Sequence, residues 1–210
     1  MKRREFIKRG FVGGTLGLIT GTSYAARPTP AEVKGPFYPV LAQKDKDFDL
    51  TRIQGQPDMA QGAMIFIQGR VVDTGGKPVE DATVDLWQAN AAGRYSHPHD
   101  SNKAPLDANF QGWAIVPSGK DGRFRFKTIH PGSYPASDTW VRPPHIHFKV
   151  SKRGYVELVT QMYFPGEKLN DLDLLLRRKS RDERGLMTAA RIGGEAEIYE
   201  FNIVVERVGE

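Results

Sequence analysis

Apolar and polar residues alternate along much of the chain from Met64 onward. Arg123, Arg125 and Lys127 interleave with Phe124, Phe126 and Thr128, the period-two pattern of a strand with one wet face. Met64–Asp73 is rich in strand formers and stops at the turn cluster Thr74-Gly75-Gly76-Lys77-Pro78. In Ala82–Gln88, Thr83, Asp85 and Trp87 share one face while Val84 and Leu86 share the other. Trp113–Val116 and Arg123–Ile129 flank Ser118-Gly119-Lys120-Asp121-Gly122, a hairpin connection. His145–Ser151, Leu158–Phe164 and Ile198–Glu206 complete at least seven predicted strands, and only Leu169–Lys179 predicts helix. The pattern predicts an all-β fold, a sandwich or barrel with long loops and little helix. Upstream, Pro28, Pro30 and Gly35-Pro36-Phe37-Tyr38-Pro39 remove backbone donors and predict an extended arm. The organisation is then a leader over 1–25, an arm and loop over 26–63, and one sandwich domain over 64–210.

Composition narrows the chemistry. The 210 residues include no cysteine, which excludes disulfide frameworks, zinc fingers and thiol nucleophiles. The net charge is +5, but Lys2, Arg3, Arg4, Lys8 and Arg9 against Glu5 put +4 of it in the leader. A nucleic-acid partner needs a basic stripe on the folded domain, and none is left. The run Arg177, Arg178, Lys179, Arg181, Arg184 is interleaved with Asp171, Asp173, Asp182 and Glu183 and reads as a solvated helical face. The leader itself has a basic start, a short apolar stretch and Ser23-Tyr24-Ala25, which resembles a twin-arginine export signal. Its apolar run is too short for a permanent membrane span. The mature protein is therefore expected in the periplasm or outside the cell.

Five histidines are present, and His145-Ile146-His147 opens a predicted strand just after Arg142-Pro143-Pro144. Residues i and i+2 on a strand project from one face, so both imidazoles can reach a single point. Two metal ligands fit that spacing; so does a pair of core-edge histidines. With no cysteine and no acidic cluster beside the pair, further ligands must come from elsewhere. Imidazole alone suits zinc, copper, iron or nickel, whereas an added phenolate favours Fe(III). Tyr95 in Gly93-Arg94-Tyr95-Ser96-His97 and Tyr134 in Pro131-Gly132-Ser133-Tyr134-Pro135 lie in distinctive loops, although tyrosines beside Gly or Pro are ordinarily packing or turn residues. Spacing leaves the choice open.

The ordered blocks Asp85-Leu86-Trp87-Gln88-Ala89-Asn90, Gly93-Arg94-Tyr95, Pro105–Phe110, Pro131–Pro135, Arg142–Phe148 and Thr160–Phe164 resemble the intradiol ring-cleavage dioxygenases, protocatechuate 3,4-dioxygenase subunits above all. The resemblance runs from about Gly35 to Phe164. It implies a β-sandwich with iron between its sheets and nearby loops, and ferric ligands at Tyr95, Tyr134, His145 and His147. It places Arg142 over the substrate and Gln161 in the pocket. It implies that Tyr134 leaves the metal and takes a substrate proton. The implied reaction cleaves a small aromatic diol with O2 to a cis,cis-muconate-type diacid, in an oligomer of this chain or with a second related subunit. The chain departs from the protocatechuate pattern at Ala136, where those enzymes carry Trp, and in a loop from Tyr134 to His145 shorter by two residues. His97 and His99 read as solvated loop residues and His130 as structural.

Two other readings use some of the same residues. Gly69–Trp87 also resembles prealbumin-like sandwich modules that bind partners in the periplasm without chemistry. A zinc or copper hydrolase built on His-x-His would need a third ligand that the sequence does not offer.

Overall fold

Strand formation follows the alternation. The computed structural model describes residues 26–43, 45–193 and 196–209, so the predicted leader lies outside the described residues. Its strands are β1 (Met64–Asp73), β2 (Thr83–Trp87), β3 (Trp113–Pro117), β4 (Arg123–Ile129), β5 (Tyr134–Ser137), β6 (Trp140–Arg142), β7 (His145–Ser151), β8 (Leu158–Tyr163), β9 (Ala190–Ile192), β10 (Ile198–Glu200) and β11 (Ile203–Val205), with one α-helix, α1 (Arg181–Met187). One sheet is built on β1, which pairs antiparallel with β4 on one edge and parallel with β10 and β11 on the other; β9 extends β10. The second sheet has the order β3-β2-β7-β8 and is antiparallel throughout. β5 and β6 form a separate small hairpin.

The core lies between the two large sheets. Ile65, Ile67, Phe124 and Phe126 from the first meet Val84, Leu86, Ile146, Phe148, Val150 and Met162 from the second. Alternation then turns Asp85, Trp87, His145, His147, Lys149, Gln161 and Tyr163 to the opposite face of the second sheet. That outer face is buried too. Trp87 belongs to a second apolar cluster with Tyr95 and Tyr134, against which Phe37 and Tyr38 of the arm pack. The resemblance implied iron between the sheets; the histidines instead face away from the inter-sheet core, because Ile146 and Phe148 occupy it.

The N-terminal arm straps this outer face. Thr29 N donates to Val204 O at 3.0 Å and Glu32 N to Val159 O at 2.8 Å, tying the arm to an edge of each large sheet. Thr160 Oγ1 donates to Pro30 O at 2.7 Å. Tyr38 Oη donates to the buried Asp85 carboxylate at 2.7 Å and receives Lys149 Nζ at 2.9 Å, while Trp113 Nε1 donates to the other Asp85 oxygen at 2.7 Å. Both Asp85 oxygens are thereby matched, as burial demands.

Three sequence expectations needed correction. Ile198–Glu206 is two strands, because the ladder to β1 is interrupted at Phe201-Asn202, where Arg70 N turns to a side chain. Phe201 N donates to Gln68 O at 2.8 Å and Arg70 N to Asn202 Oδ1 at 3.0 Å. Gly69 makes room, since a Cβ there would stand 1.9 Å from Phe201 O. The predicted helix Leu169–Lys179 is instead two 3₁₀ turns, Lys168–Asp171 and Leu176–Arg178, and the α-helix follows at α1 behind a Ser180–Glu183 capping box. Asp173 breaks it: its carboxylate accepts Leu175 N at 2.9 Å and Leu176 N at 2.8 Å and lies fully buried, not on a solvated face. Finally, Tyr134–Ser137 and Trp140–Arg142, read as loop, form the hairpin β5–β6. Among the described residues no helix is long and apolar enough to cross a membrane.

Gly69→Ala is expected to lower stability by about 1–3 kcal/mol, because the obstructing atom is backbone. Urea unfolding of the two proteins checks this.

Candidate metal centre

Register brings the centre together. In the second sheet Trp87 stands opposite His147, His147 opposite Gln161, and His145 opposite Tyr163. The Trp87 indole stacks on the His147 ring, with centroids 4.8 Å apart and planes 8° from parallel. His145 Nδ1 donates to Pro143 O at 2.7 Å, which leaves its Nε2 lone pair turned toward His147 Nε2, 3.2 Å away. Both imidazoles are buried. That burial, with the Arg142 charge nearby, pushes both well below the usual histidine range, so they are neutral at neutral pH.

The tyrosines arrive on two loops clamped backbone to backbone. Asn90 O accepts both Gly93 N at 3.0 Å and Gly132 N at 2.9 Å, and Asn90 Oδ1 accepts Ala92 N and Arg94 N. The approach is close enough to require glycine: a Cβ on Gly93 would stand 2.1 Å from Ser133 O, and one on Gly132 would stand 2.5 Å from Ala91 O. Tyr95 N donates to Asp100 Oδ2 at 2.7 Å. The result sets the Tyr95 and Tyr134 rings edge to face at 5.6 Å, with Tyr134 5.7 Å from His145 and Tyr95 6.2 Å from His147. Burial raises both phenols above the ordinary tyrosine range. Tyr95 Oη is buried and makes no hydrogen bond of normal geometry, and His147 Nδ1 is likewise unmatched.

All four sequence-predicted ligand positions therefore share one buried cluster. Its donors are two imidazole nitrogens and two phenols. Among the described residues no group of three or more His, Asp or Glu could hold a metal, and the other side-chain donors packed around this pair of histidines are the two tyrosine hydroxyls. The unmatched Tyr95 hydroxyl and the 3.2 Å separation of the facing Nε2 atoms fit that use: bonds of roughly 2 Å from each nitrogen reach a common ion. The other histidines take no part in the cluster. His99 is exposed, His97 stacks near Phe37, and His130 packs on Phe164.

Arg142 ends β6 beside this cluster, with its charge almost entirely buried. Its Nε donates to Asp173 Oδ2 at 2.7 Å, and its Nη2 donates to Gln161 Oε1 at 2.7 Å and to Tyr163 Oη at 3.1 Å. Gln161 Nε2 in turn donates to Val33 O of the arm at 2.9 Å. Gln161, expected in the pocket, is thus fully buried and holds Arg142 and the arm. A cleft of about 850 Å³ opens beside Tyr134 and Arg142, walled by Val33–Phe37, the 100–103 loop, the β5–β6 hairpin and Leu175. Tyr134 reaches this cleft and Tyr95 does not. Gly35 of the arm, at φ +73°, lies over His147; a Cβ there would touch Cε1 at 3.4 Å. Sequence reading missed Tyr163, Asp173 and the arm residues over the centre. A period-two reading from Gln161 reaches Tyr163, and an acid just before Leu174-Leu175-Leu176 is a turn-capping signal.

Comparison with known proteins agrees with this geometry. A family model described as Dioxygenase (Dioxygenase_C) matches residues 33–206. The chain is 39% identical over 190 residues to a protocatechuate 3,4-dioxygenase beta chain of Burkholderia cepacia, covering 85% of this chain and 80% of that one. It is 32% identical over 198 residues to a 6-chlorohydroxyquinol 1,2-dioxygenase of Cupriavidus pinatubonensis, covering 82% of this chain but 64% of the relative. Among solved structures, the dioxygenase domain of a dioxygenase carbohydrate-binding protein fusion from Streptomyces sp. SirexAA-E superposes with a TM-score of 0.63 at 28% identity, covering 87% of this chain and 100% of that one.

Gly132→Ala is expected to part the two tyrosine loops. It should lower stability by about 1–3 kcal/mol and reduce bound metal on purification, whereas the same change at Gly185, exposed in α1 with open space around it, should do less. Denaturant melts and elemental analysis of the variants make the comparison.

Proposed function

The chain belongs to the intradiol ring-cleavage dioxygenases, and from that membership we propose a non-haem Fe(III) enzyme that splits a catechol-type ring between its two hydroxylated carbons. Both atoms of O2 enter the product, a cis,cis-muconate-type dicarboxylic acid. Protocatechuate or a related catechol is the substrate. The observation that carries the iron is the donor set, two neutral imidazoles facing each other at 3.2 Å with two phenols packed against them and no carboxylate ligand. Two phenolates offset most of a trivalent charge in a site that excludes water. A ferric ion held there by Tyr95, Tyr134, His145 and His147 would supply a Lewis acid that draws electron density from a bound diol.

The remaining roles fall to the chain's own groups. His145 and His147 donate through Nε2, and the Pro143 carbonyl fixes the His145 ring in that orientation. Tyr95 stays buried behind the centre. Tyr134, which faces the cleft, takes one diol proton on Oη as the substrate enters. Arg142 keeps its charge despite burial, because Tyr163, Tyr134 and Asp173 outweigh the desolvation, and it offers that charge where negative charge builds on the ring. The Trp87 indole and the arm keep water from the histidines.

The basic leader with its small-residue cleavage pattern supports export in a folded state to the periplasm or beyond. Similarity to a protein named as a beta chain supports an oligomer, of this chain or with a related subunit.

Protein purified without the leader is expected to carry about one iron per chain and a red-brown phenolate-to-iron colour. It should consume O2 with at least one of protocatechuate, catechol, hydroxyquinol or a larger aryl diol. His145→Ala should lose both iron and colour. Tyr134→Phe should keep some iron and slow substrate binding. Iron-free protein inert toward every diol would return the chain to the binding-module reading.

A further inference from the structure

Arg142 is aimed by a residue from a distant part of the chain. Two of its three guanidinium nitrogens are committed: Nε to Asp173, and Nη2 to Gln161 and Tyr163. The remaining edge of the guanidinium lies beside the Tyr134 hydroxyl, and the side chain lines the cleft there. A guanidinium is planar, so fixing two of its nitrogens fixes the direction of the third. Gln161 and Tyr163 are neighbours on β8, and either could be met by several rotations of the Arg142 side chain. Asp173 removes that freedom because it grips Nε as well, out of the turn between Lys168–Asp171 and Leu176–Arg178. Its own carboxylate is pinned by Leu175 N, Leu176 N and, at 3.4 Å, the Tyr163 hydroxyl. Asp173 has no solvent exposure and the Arg142 side chain 5%.

We propose that Asp173 is the positioning residue that turns the remaining edge of the Arg142 guanidinium toward Tyr134 and the cleft, with Tyr163 as its brace. The inference rests on the ring-cleavage reading for its kinetic expression and on the hydrogen-bond geometry for its structural one. Asp173 touches neither substrate nor ligand; it acts through Arg142. The turn 168–178 is thereby part of the active-site apparatus although it lies outside the sheet that carries the histidines.

The test is a double-mutant cycle on iron-loaded full domain. Asp173→Asn keeps the oxygen that accepts Leu175 N and Leu176 N but turns a donor toward Arg142 Nε. It is expected to lower kcat roughly 10–100-fold, with KM changed less than about threefold and the iron colour retained. In an Arg142→Ala background the same change should cost less than about twofold, because there is no guanidinium left to aim. Tyr163→Phe, which folds more safely, should show a smaller loss with the same dependence on Arg142. Nitrogen-15 spectra of the metal-free protein add a readout that needs no turnover: one protected Arg Nε–H signal should vanish in Asp173→Asn. Unchanged kcat in both variants, an equal loss on the Arg142→Ala background, or an undisturbed Nε–H signal overturns the assignment. If the wild-type protein cleaves no diol, the ring-cleavage reading has failed, and the Nε–H signal alone decides for or against the Asp173 grip.

Discussion

The register of β7 is the constraint on which the rest depends. Its side chains alternate between Ile146, Phe148 and Val150, which close the inter-sheet core, and His145, His147 and Lys149, which face the other way. A slip of one residue would drive two imidazoles and an ammonium into the core and strip the centre at the same stroke. Pairing with β2 on one side and β8 on the other forbids the slip, since both neighbours obey the same alternation. The apolar core and the polar centre are two readouts of one strand, and the burial that stabilises the fold also sets the geometry of the imidazoles.

A sheet used on both faces needs a second cover, and the arm provides it. Proline-rich backbone suits this task, having fewer donors to satisfy where it crosses a buried surface. Its few polar anchors are matched one by one: Thr29 and Glu32 at the sheet edges, the Val33 carbonyl at Gln161, and the Tyr38 hydroxyl at Asp85 and Lys149. The electrostatics follow from the same enclosure. Burial keeps the histidines neutral and raises both phenols, while the Arg142 guanidinium, a cation at any ordinary pH, is faced by the buried Asp173 carboxylate. Stranding such an ion by removing its partner costs about 3–5 kcal/mol in comparable interiors.

Much of this was legible in the residues. The alternation in Arg123–Ile129 and His145–Ser151 reproduces β4 and β7 to the residue, because each has one face the core cannot give up. The His-x-His spacing implied a shared point, and resemblance brought Tyr95 and Tyr134 to it. What stayed hidden depended on partners far away in sequence. Asp173 looked like one acid among many in a charged stretch; only Arg142, 31 residues earlier, explains why it turns inward and ends a helix. The close approach of Phe201 to β1 likewise answers to Gly69, on another strand. The side on which His145 and His147 face was missed for a related reason: nothing local in the arm announces that it will seal the outer surface of a sheet.

The β5–β6 hairpin joins parts under very different obligations. Tyr134 and Arg142 at its base are buried and bonded, while residues 135–139 at its tip are exposed and the pairing shifts between Pro135 and Ser137. A register irregularity of that kind absorbs changes in length without transmitting them to the base. The rim of the cleft can accordingly change in shape and polarity while Tyr134 and Arg142 keep their places, which uncouples what the mouth admits from what holds the fold together.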